Sequence, residues 1–171
     1  LEPLEEELVA MARWAEAMAM ETEDKQLDAA VVVRGIQRAF EDPDKGRYYI
    51  AESAGRPVGT LMLTWEWSDW RDGWWWWIQS VYVDTGFRRR GVYRALYAHV
   101  LALAQADPEV RGLRLYVDTT NTRAMVQVGP GTDVAGSLLM HTLSDEDGAP
   151  ARNGSPAPAE APVADRRRRR A

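Results

Sequence analysis

The distribution of aromatic residues limits where this chain can build a core. Seven of the eight tryptophans lie between Trp65 and Trp77, and no aromatic residue follows Tyr116 in a chain of 171 residues. Large aromatic side chains supply much of the apolar area that a core buries. The last part of the chain is rich in Gly, Ala, Pro, Ser, Asp and Arg, and such a segment buries too little apolar surface to offset its ordering entropy. We therefore expect a folded domain over residues 1–124 and a divergent, disordered Pro/Ala/Arg-rich tail over 125–171.

The charge and the cysteine count narrow the functional classes. The formal net charge is -5 and there is no cysteine. An acidic chain is a poor candidate for general nucleic-acid binding, and the absence of cysteine removes disulfides, thiolate metal sites and cysteine nucleophiles. No run reaches the ~18 apolar residues that a membrane-spanning helix needs. We therefore expect a cytoplasmic protein without a membrane span and without a metal site.

Hydrophobic periodicity and turn residues predict a regular order of elements. Two helices are predicted first, over residues 4–21 and between Asp28 and Asp42, because apolar residues recur at helical spacing there. The later elements are predicted as strands 47–53, 58–67 and 74–83, a helix over 92–106 and a strand over 113–117. Strands joined by short turns favour an antiparallel meander, whereas a strand–helix–strand unit favours a parallel pair. The predicted fold is therefore α/β (α+β), a mixed central sheet flanked by helices.

The turn after the third predicted strand carries the strongest chemical signal. Three consecutive arginines precede Gly91, which opens the helix at Val92. Free N–H groups and the positive end of the helix dipole make a helix start a site for phosphate, and glycine allows the anion a close approach. The alternative from these residues alone is a solvated basic loop that happens to precede a helix.

The segments 78–83 and 88–96 resemble the acetyl-coenzyme A site of the GNAT N-acetyltransferase superfamily, whose pattern is Gln/Arg-x-x-Gly-x-Gly/Ala. Arg88 and Gly91 match this pattern, whereas Tyr93 stands where the family usually has Gly or Ala. The resemblance covers about residues 8–125 and implies the acyl-CoA N-acyltransferase fold. It also implies an enzyme that transfers an acetyl group from acetyl-CoA to a primary amine of a small-molecule or peptide acceptor.

The resemblance implies a set of residues that bind acetyl-CoA. Backbone groups near Val81 and Val83 would pair with the pantetheine arm, and N–H groups from Arg89 to Tyr93 would surround the pyrophosphate. The implied set is Val81, Val83, Arg88, Arg89, Arg90, Gly91, Val92, Tyr93 and Asn121. Asn121 matches a family residue that approaches the cofactor, and it is equally well explained as a helix cap.

The acceptor side is predicted around the hairpin between the second and third strands. Family enzymes use a base to remove the amine proton, and Glu66 is the candidate, because desolvation among tryptophans could raise its pKa. The alternative is an ordinary solvent-facing strand residue. Trp67, Asp69 and Trp70 are the candidates for binding the acceptor, while the other tryptophans of the cluster are equally compatible with a core.

The sequence departs from the family pattern at both ends, so the fold is expected to be incomplete there. The family's first strand is not visible before Glu5, and the usual general-acid Tyr is missing because no tyrosine follows Tyr116. The abrupt change in composition suggests a C-terminal part that is truncated or translated out of frame, which resequencing of the source DNA would test. An exposed edge on the fourth strand would favour a homodimer. Two alternative functions follow: a catalytically impaired acyl-CoA-binding module, and a nucleic-acid binder that uses the five terminal arginines.

Overall fold

The computed structural model describes residues 5–116, 133–135, 138–142 and 163–165. The first elements are helices α1 (Glu5–Glu23) and α2 (Ala29–Glu41), followed by strands β1 (Arg47–Ser53), β2 (Arg56–Ser68) and β3 (Gly73–Val83). A 3-10 turn (Thr85–Phe87) leads into α3 (Val92–Ala106) and β4 (Val110–Tyr116). Short strands β5 (Asp133–Ala135), β6 (Leu138–Thr142) and β7 (Val163–Asp165) come last. The predicted elements are confirmed as far as Tyr116, although β4 begins three residues before its predicted start.

Local chemistry explains the bounds of α2. The Asp28 carboxylate accepts hydrogen bonds from the N–H groups of Ala30 at 2.9 Å and Val31 at 3.2 Å, which are donors that a helix start leaves unpaired. The helix ends at Glu41, just before Asp42-Pro43, because the residue before a proline is disfavoured in the helical region. Helix α1 begins with three glutamates, and their charge suits the positive end of the helix dipole.

The described strands form one mixed sheet in the order β5-β6-β4-β3-β2-β1-β7. Strands β3 and β4 run parallel, as predicted, and their register extends from Trp74 opposite Val110 to Ile78 opposite Leu115. Strand β6 pairs antiparallel with β4. The expectation that β4 would be an exposed edge is therefore wrong, because the C-terminal region supplies a strand that sequence composition did not indicate.

The chain divides into two compact units. The described residues of the first unit fall in Leu1–Met62, Ser80–Leu96 and Glu160–Ala171. Its core comprises Met11, Ala12, Trp14, Ile36, Ile50 and Tyr82. Those of the second unit fall in Leu63–Gln79 and Tyr97–Ala159, and its buried side chains include Leu63, Trp75, Ile78, Val100 and Leu113. The mixed sheet with flanking helices confirms the predicted fold class.

Candidate functional site

The last residues of β3 offer backbone groups on one strand edge. The Asp84 N–H donates to the Val58 carbonyl at 3.0 Å, so the backbone polar groups of Asp84 face β2. Backbone polar groups of successive residues point to opposite edges of a strand, so those of Val83 and Val81 point away from β2. The register with β4 ends at Ile78, and Ser80 then takes a left-handed conformation with φ of 48°. Among the described strands, none pairs with β3 along this edge beyond Ile78.

The turn after β3 folds back on itself before α3 begins. The Asp84 carboxylate accepts from the Gly86 N–H at 3.0 Å, and its carbonyl accepts from the Phe87 N–H at 2.8 Å. Arg89 and Gly91 then take left-handed conformations, with φ of 67° and 83°. Alternating backbone hand turns successive N–H groups toward one side, as in anion-binding nests. Within the described residues, the N–H groups of Arg89, Arg90 and Gly91 have no hydrogen-bond partner.

Gly91 is the N-terminal cap of α3. Its carbonyl accepts from the Ala95 N–H at 2.9 Å, which is the first hydrogen bond of the helix. A Cβ added at Gly91 would meet no atom within 4 Å, so the space beside this backbone is open. The first amides of a helix lack intrahelical acceptors and lie at the positive end of its dipole. The open space at Gly91 is therefore a suitable position for an anion.

The two residues after Gly91 direct their side chains into the protein. Val92 is 5% exposed and packs beside Gly59 of β2, so only its backbone N–H is available to a ligand. Burial raises the pKa of Tyr93 to about 12. The tyrosine that stands at the family's Gly/Ala position is thus half-buried.

Arg88 forms ion-pair contacts away from the loop. Its guanidinium donates to both carboxylate oxygens of Glu21, each at 3.0 Å, and its Nε donates to the Val83 carbonyl at 3.1 Å. The Tyr82 hydroxyl donates to the same carboxylate at 3.0 Å. The hydrogen bonds from Arg88, together with that from Tyr82, hold the pKa of Glu21 below its usual value. Burial and the bond to Glu21 raise the pKa of Tyr82.

The other two arginines of the loop are exposed. The Arg90 guanidinium lies 5.3 Å from the centre of the Phe87 ring, at cation–π distance. The Arg89 side chain is exposed and makes no hydrogen bond, ion pair or ring contact within the described part of the chain. Of the three predicted phosphate-binding arginines, Arg89 and Arg90 thus have side chains that an anion can reach, whereas Arg88 is held by Glu21.

Glu66 of the second unit is engaged by neighbouring donors. Its carboxylate accepts from the Arg114 guanidinium at 2.8 Å and from the indole N–H of Trp77. The Arg114 guanidinium also lies 4.1 Å from the Trp75 ring centre. The candidate base therefore belongs to a polar and aromatic cluster on one face of the sheet. Its role as the catalytic base stays a prediction.

The three predicted acceptor-binding residues lie at the tip of the hairpin between β2 and β3. Trp70 is 89% exposed and Trp67 is 47% exposed, whereas Trp75 is 1% exposed. The Trp67 ring packs edge-on against Trp74 with 5.0 Å between ring centres, and the Asp69 carboxylate accepts from the Trp70 N–H at 2.9 Å. These positions suit contact with a ligand, and the acceptor role of these residues stays a prediction.

Sequence reasoning did not identify two residues that contact candidate site residues, namely Glu21, which contacts Arg88, and Arg114, which contacts Glu66. Both act through partners distant in sequence, so local periodicity carried no signal for them. Asn121, predicted to approach the cofactor, lies outside the described residues. The described segments hold no group of three or more His, Cys, Asp or Glu side chains arranged to bind a metal ion. In the same segments, no helix combines the length and the apolar character that crossing a membrane requires.

Comparison with known proteins supports the family resemblance. The Acetyltransferase (GNAT) family model matches residues 5–125. A crystal structure of a possible acetyltransferase from Clostridium difficile 630 is 36% identical, with a TM-score of 0.67, covering 75% of this chain and 84% of that chain. No curated protein matches.

Two more distant structures share the fold. Ribosomal-protein-alanine N-acetyltransferase from Brucella melitensis is 18% identical with a TM-score of 0.60, covering 82% of this chain and 95% of the other. Arabidopsis thaliana NAA60 in complex with acetyl-CoA is 12% identical with a TM-score of 0.56, covering 78% and 94%. The family match over most of the chain, together with the loop geometry after β3, shows that the protein belongs to the GNAT family of acetyltransferases.

Proposed function

We propose that this acyltransferase binds acetyl-CoA at the loop between β3 and α3 and transfers the acetyl group to a primary amine of a small-molecule or peptide acceptor. The observation that carries the proposal is the left-handed pair Arg89 and Gly91, which turns unpaired N–H groups toward open space at the start of α3. Backbone N–H groups at a helix start bind phosphate without any specialised side chain. The pyrophosphate of acetyl-CoA fits this chemistry.

The residues at the end of β3 fit the rest of the co-substrate. The outward backbone groups of Val81 and Val83 would accept and donate to the amides of a pantetheine arm, as an added strand would. Arg89 and Arg90 would add charge beside the phosphates. Acetyl-CoA supplies the acetyl group as an activated thioester, and these residues bind and orient it.

Two structural neighbours support, respectively, an amine acceptor and acetyl-CoA as the co-substrate. The Brucella melitensis protein is a ribosomal-protein-alanine N-acetyltransferase, and NAA60 was crystallised with acetyl-CoA. We assign removal of the amine proton to Glu66, with Trp67, Asp69 and Trp70 as acceptor contacts. A cytoplasmic location and a homodimer remain predictions from the sequence.

A second candidate function is an acyl-CoA-binding module with impaired catalysis. It is favoured by the engagement of Glu66, because both of its carboxylate oxygens already accept hydrogen bonds, one from the Arg114 guanidinium and the other from the Trp77 indole N–H. The absence of a tyrosine after Tyr116 also favours it, since the family commonly uses one as general acid. The two candidates differ only in whether thiol is released.

Calorimetric titration with CoA tests the binding step. A matched pair of glycine variants separates an effect on binding from an effect on folding. Gly91 and Gly55 both have positive φ, and a Cβ at either meets nothing within 4 Å. Gly91→Ala and Gly55→Ala should therefore cost similar folding free energy, whereas only Gly91→Ala should weaken CoA binding. Equal CoA affinity in the two variants, or no CoA binding by folded wild-type protein, would refute the site.

Thiol release from acetyl-CoA over a panel of amines tests catalysis. Release with any primary amine supports acetyl transfer, and Glu66→Gln should then lower kcat more than it weakens CoA binding. CoA binding without release from any amine supports the impaired module instead.

A further inference from the structure

Glu21 connects the end of α1 to the loop that forms the coenzyme site. It is 67 positions from Arg88 in sequence, yet both of its carboxylate oxygens accept from that guanidinium at 3.0 Å. The Tyr82 hydroxyl adds a third hydrogen bond at 3.0 Å. The same guanidinium lies 5.1 Å from the Tyr82 ring centre. A single carboxylate thus fixes both an arginine of the loop and a tyrosine of β3.

The contacts of Arg88 constrain the path of the backbone. Its Nε donates to the Val83 carbonyl at 3.1 Å, so the side chain ties the fifth residue after Val83 back to the end of β3. The next residue, Arg89, is left-handed at φ of 67°, a conformation that is unfavourable for a residue with a Cβ. Surrounding contacts must hold such a conformation in place. Among the described side chains, Glu21 is the one that anchors Arg88 from outside the loop and β3.

We propose that Glu21 is a positioning residue for coenzyme binding, which holds Arg88 against the end of β3 and so keeps the N–H groups of Arg89, Arg90 and Gly91 turned toward the pyrophosphate. This inference rests on the proposed function. Glu21 does not itself bind the phosphates, because a carboxylate repels them. It acts through Arg88.

Because Glu21 is charged, an electrostatic role and a positioning role predict opposite changes in CoA affinity when it is substituted. A purely electrostatic effect predicts that Glu21→Gln strengthens CoA binding, because it removes a negative charge near an anion site. A positioning effect predicts weaker binding, because the loop loses its anchor. The side chains of Glu21 and Arg88 are 46% and 42% exposed, so solvent and salt screen the first effect. We expect the positioning effect to dominate.

The test is CoA titration of Glu21→Gln at fixed ionic strength, with Glu23→Gln as the matched control. Glu23 lies on the same helix and is exposed, and its side chain makes no hydrogen bond or ion pair with the described residues. We expect Glu21→Gln to raise the Kd for CoA about tenfold, which corresponds to ~1.4 kcal/mol, and Glu23→Gln to leave it unchanged. An unchanged or tighter Kd in Glu21→Gln would overturn the inference while wild-type binding upholds the proposed function. No binding by folded wild-type protein would instead overturn the proposed function, and the inference with it.

A coupling measurement separates positioning from general loss of structure. In an Arg88→Ala background, Glu21→Gln should have no further effect on the Kd, because its partner is already gone. Tyr82→Phe should weaken binding less than Glu21→Gln, since it removes one of three hydrogen bonds to the carboxylate. If Glu21→Gln weakens binding equally with and without Arg88, Glu21 does not act through Arg88 and the inference fails.

Discussion

Gly59 of β2 is a position where one added methyl group should disturb the proposed coenzyme site. A Cβ built at Gly59 would lie 2.9 Å from Cγ1 of Val92, 3.1 Å from the Tyr82 carbonyl oxygen and 3.5 Å from Cγ2 of Val83. Strand β2 therefore passes directly beneath the first residue of α3 and the end of β3. Gly59→Ala would wedge these elements apart.

The size of the effect follows from the packing. Carbon atoms pack best at ~3.5–4.0 Å, so Val92 would have to retreat by ~0.6 Å or more. Val92 is 5% exposed and Tyr82 is 8% exposed, which leaves little space for retreat. Overpacking of this kind costs ~1–3 kcal/mol of unfolding free energy. For a chain of this length the unfolding midpoint should fall by ~2–12 °C at ~2–4 °C per kcal/mol.

The assay is thermal and denaturant unfolding followed by tryptophan fluorescence, with Gly35→Ala as the control. Gly35 lies within α2, and a Cβ there meets nothing within 4 Å, so alanine should stabilise the protein by ~0.5–1 kcal/mol. Adding Val92→Ala to Gly59→Ala should recover part of the loss, because it removes the closest contact. A Gly59→Ala variant as stable as wild type would refute the packing of α3 on β2.

Three further predictions concern single side chains. Asp28→Ala should cost ~1 kcal/mol in denaturant unfolding, because it removes both capping bonds of α2, and an unchanged midpoint would contradict the cap. Burial that raises the pKa of Tyr93 to about 12 stabilises the fold fully below the ordinary value of ~10, and this stabilisation should be lost as pH rises from 10 to 12. Alkaline absorbance titration of Tyr93→Phe should lack this late component. Arg111→Ala should cost ~1–3 kcal/mol, since its guanidinium donates to the carbonyls of Arg71, Asp72 and Pro108, and Arg111→Lys should recover part of it.

The sequence allowed accurate prediction wherever the determinant was local. The Asp28 cap and the Asp42-Pro43 stop place α2 correctly, because capping and proline sterics act within a few residues. The strand–helix–strand order also predicts the parallel pairing of β3 and β4, because a helix between two neighbouring strands returns the chain to the same end of the sheet. The start of α3 directly after Gly91 was also predicted correctly, because the apolar positions of the helix begin at the next residue. The phosphate site at this loop stays a prediction.

Contacts between distant charged residues were not predictable. The chain has 26 acidic and 21 basic residues, so the pairing of Glu21 with Arg88 has many alternatives that sequence alone cannot rank. The expectation from composition that β4 has an exposed edge was wrong for a similar reason, because it depended on a pairing between distant segments. Strand β6 is marked in the sequence only by a short apolar stretch. Its pairing with β4 depends on the arrangement of the whole sheet, which the stretch itself does not reveal.

The clustered tryptophans have two structural roles in the sheet, as ring pairs across the hairpin and as a buried core residue, which the sequence alone did not distinguish. Alternation along the hairpin sets Trp65 against Trp76 and Trp67 against Trp74, with ring centres 5.5 Å and 5.0 Å apart. Trp75 is buried and carries Arg114 on its ring. Trp70 has neither role, because it lies in the turn between β2 and β3 rather than in a strand.

The two glutamate–arginine pairs show why identical chemistry at a candidate site has opposite consequences. Under the proposed positioning role, the pair between Glu21 and Arg88 holds the loop, while the N–H groups of Arg89, Arg90 and Gly91 bind the phosphates. In the second pair, Arg114 donates to one carboxylate oxygen of Glu66, the proposed proton acceptor, and the Trp77 indole N–H donates to the other. Under the proposed roles, the first ion pair supports coenzyme binding, whereas the second must open before Glu66 can accept a proton. Of the two proposed steps, proton removal therefore has a requirement that coenzyme binding lacks, namely the opening of an ion pair.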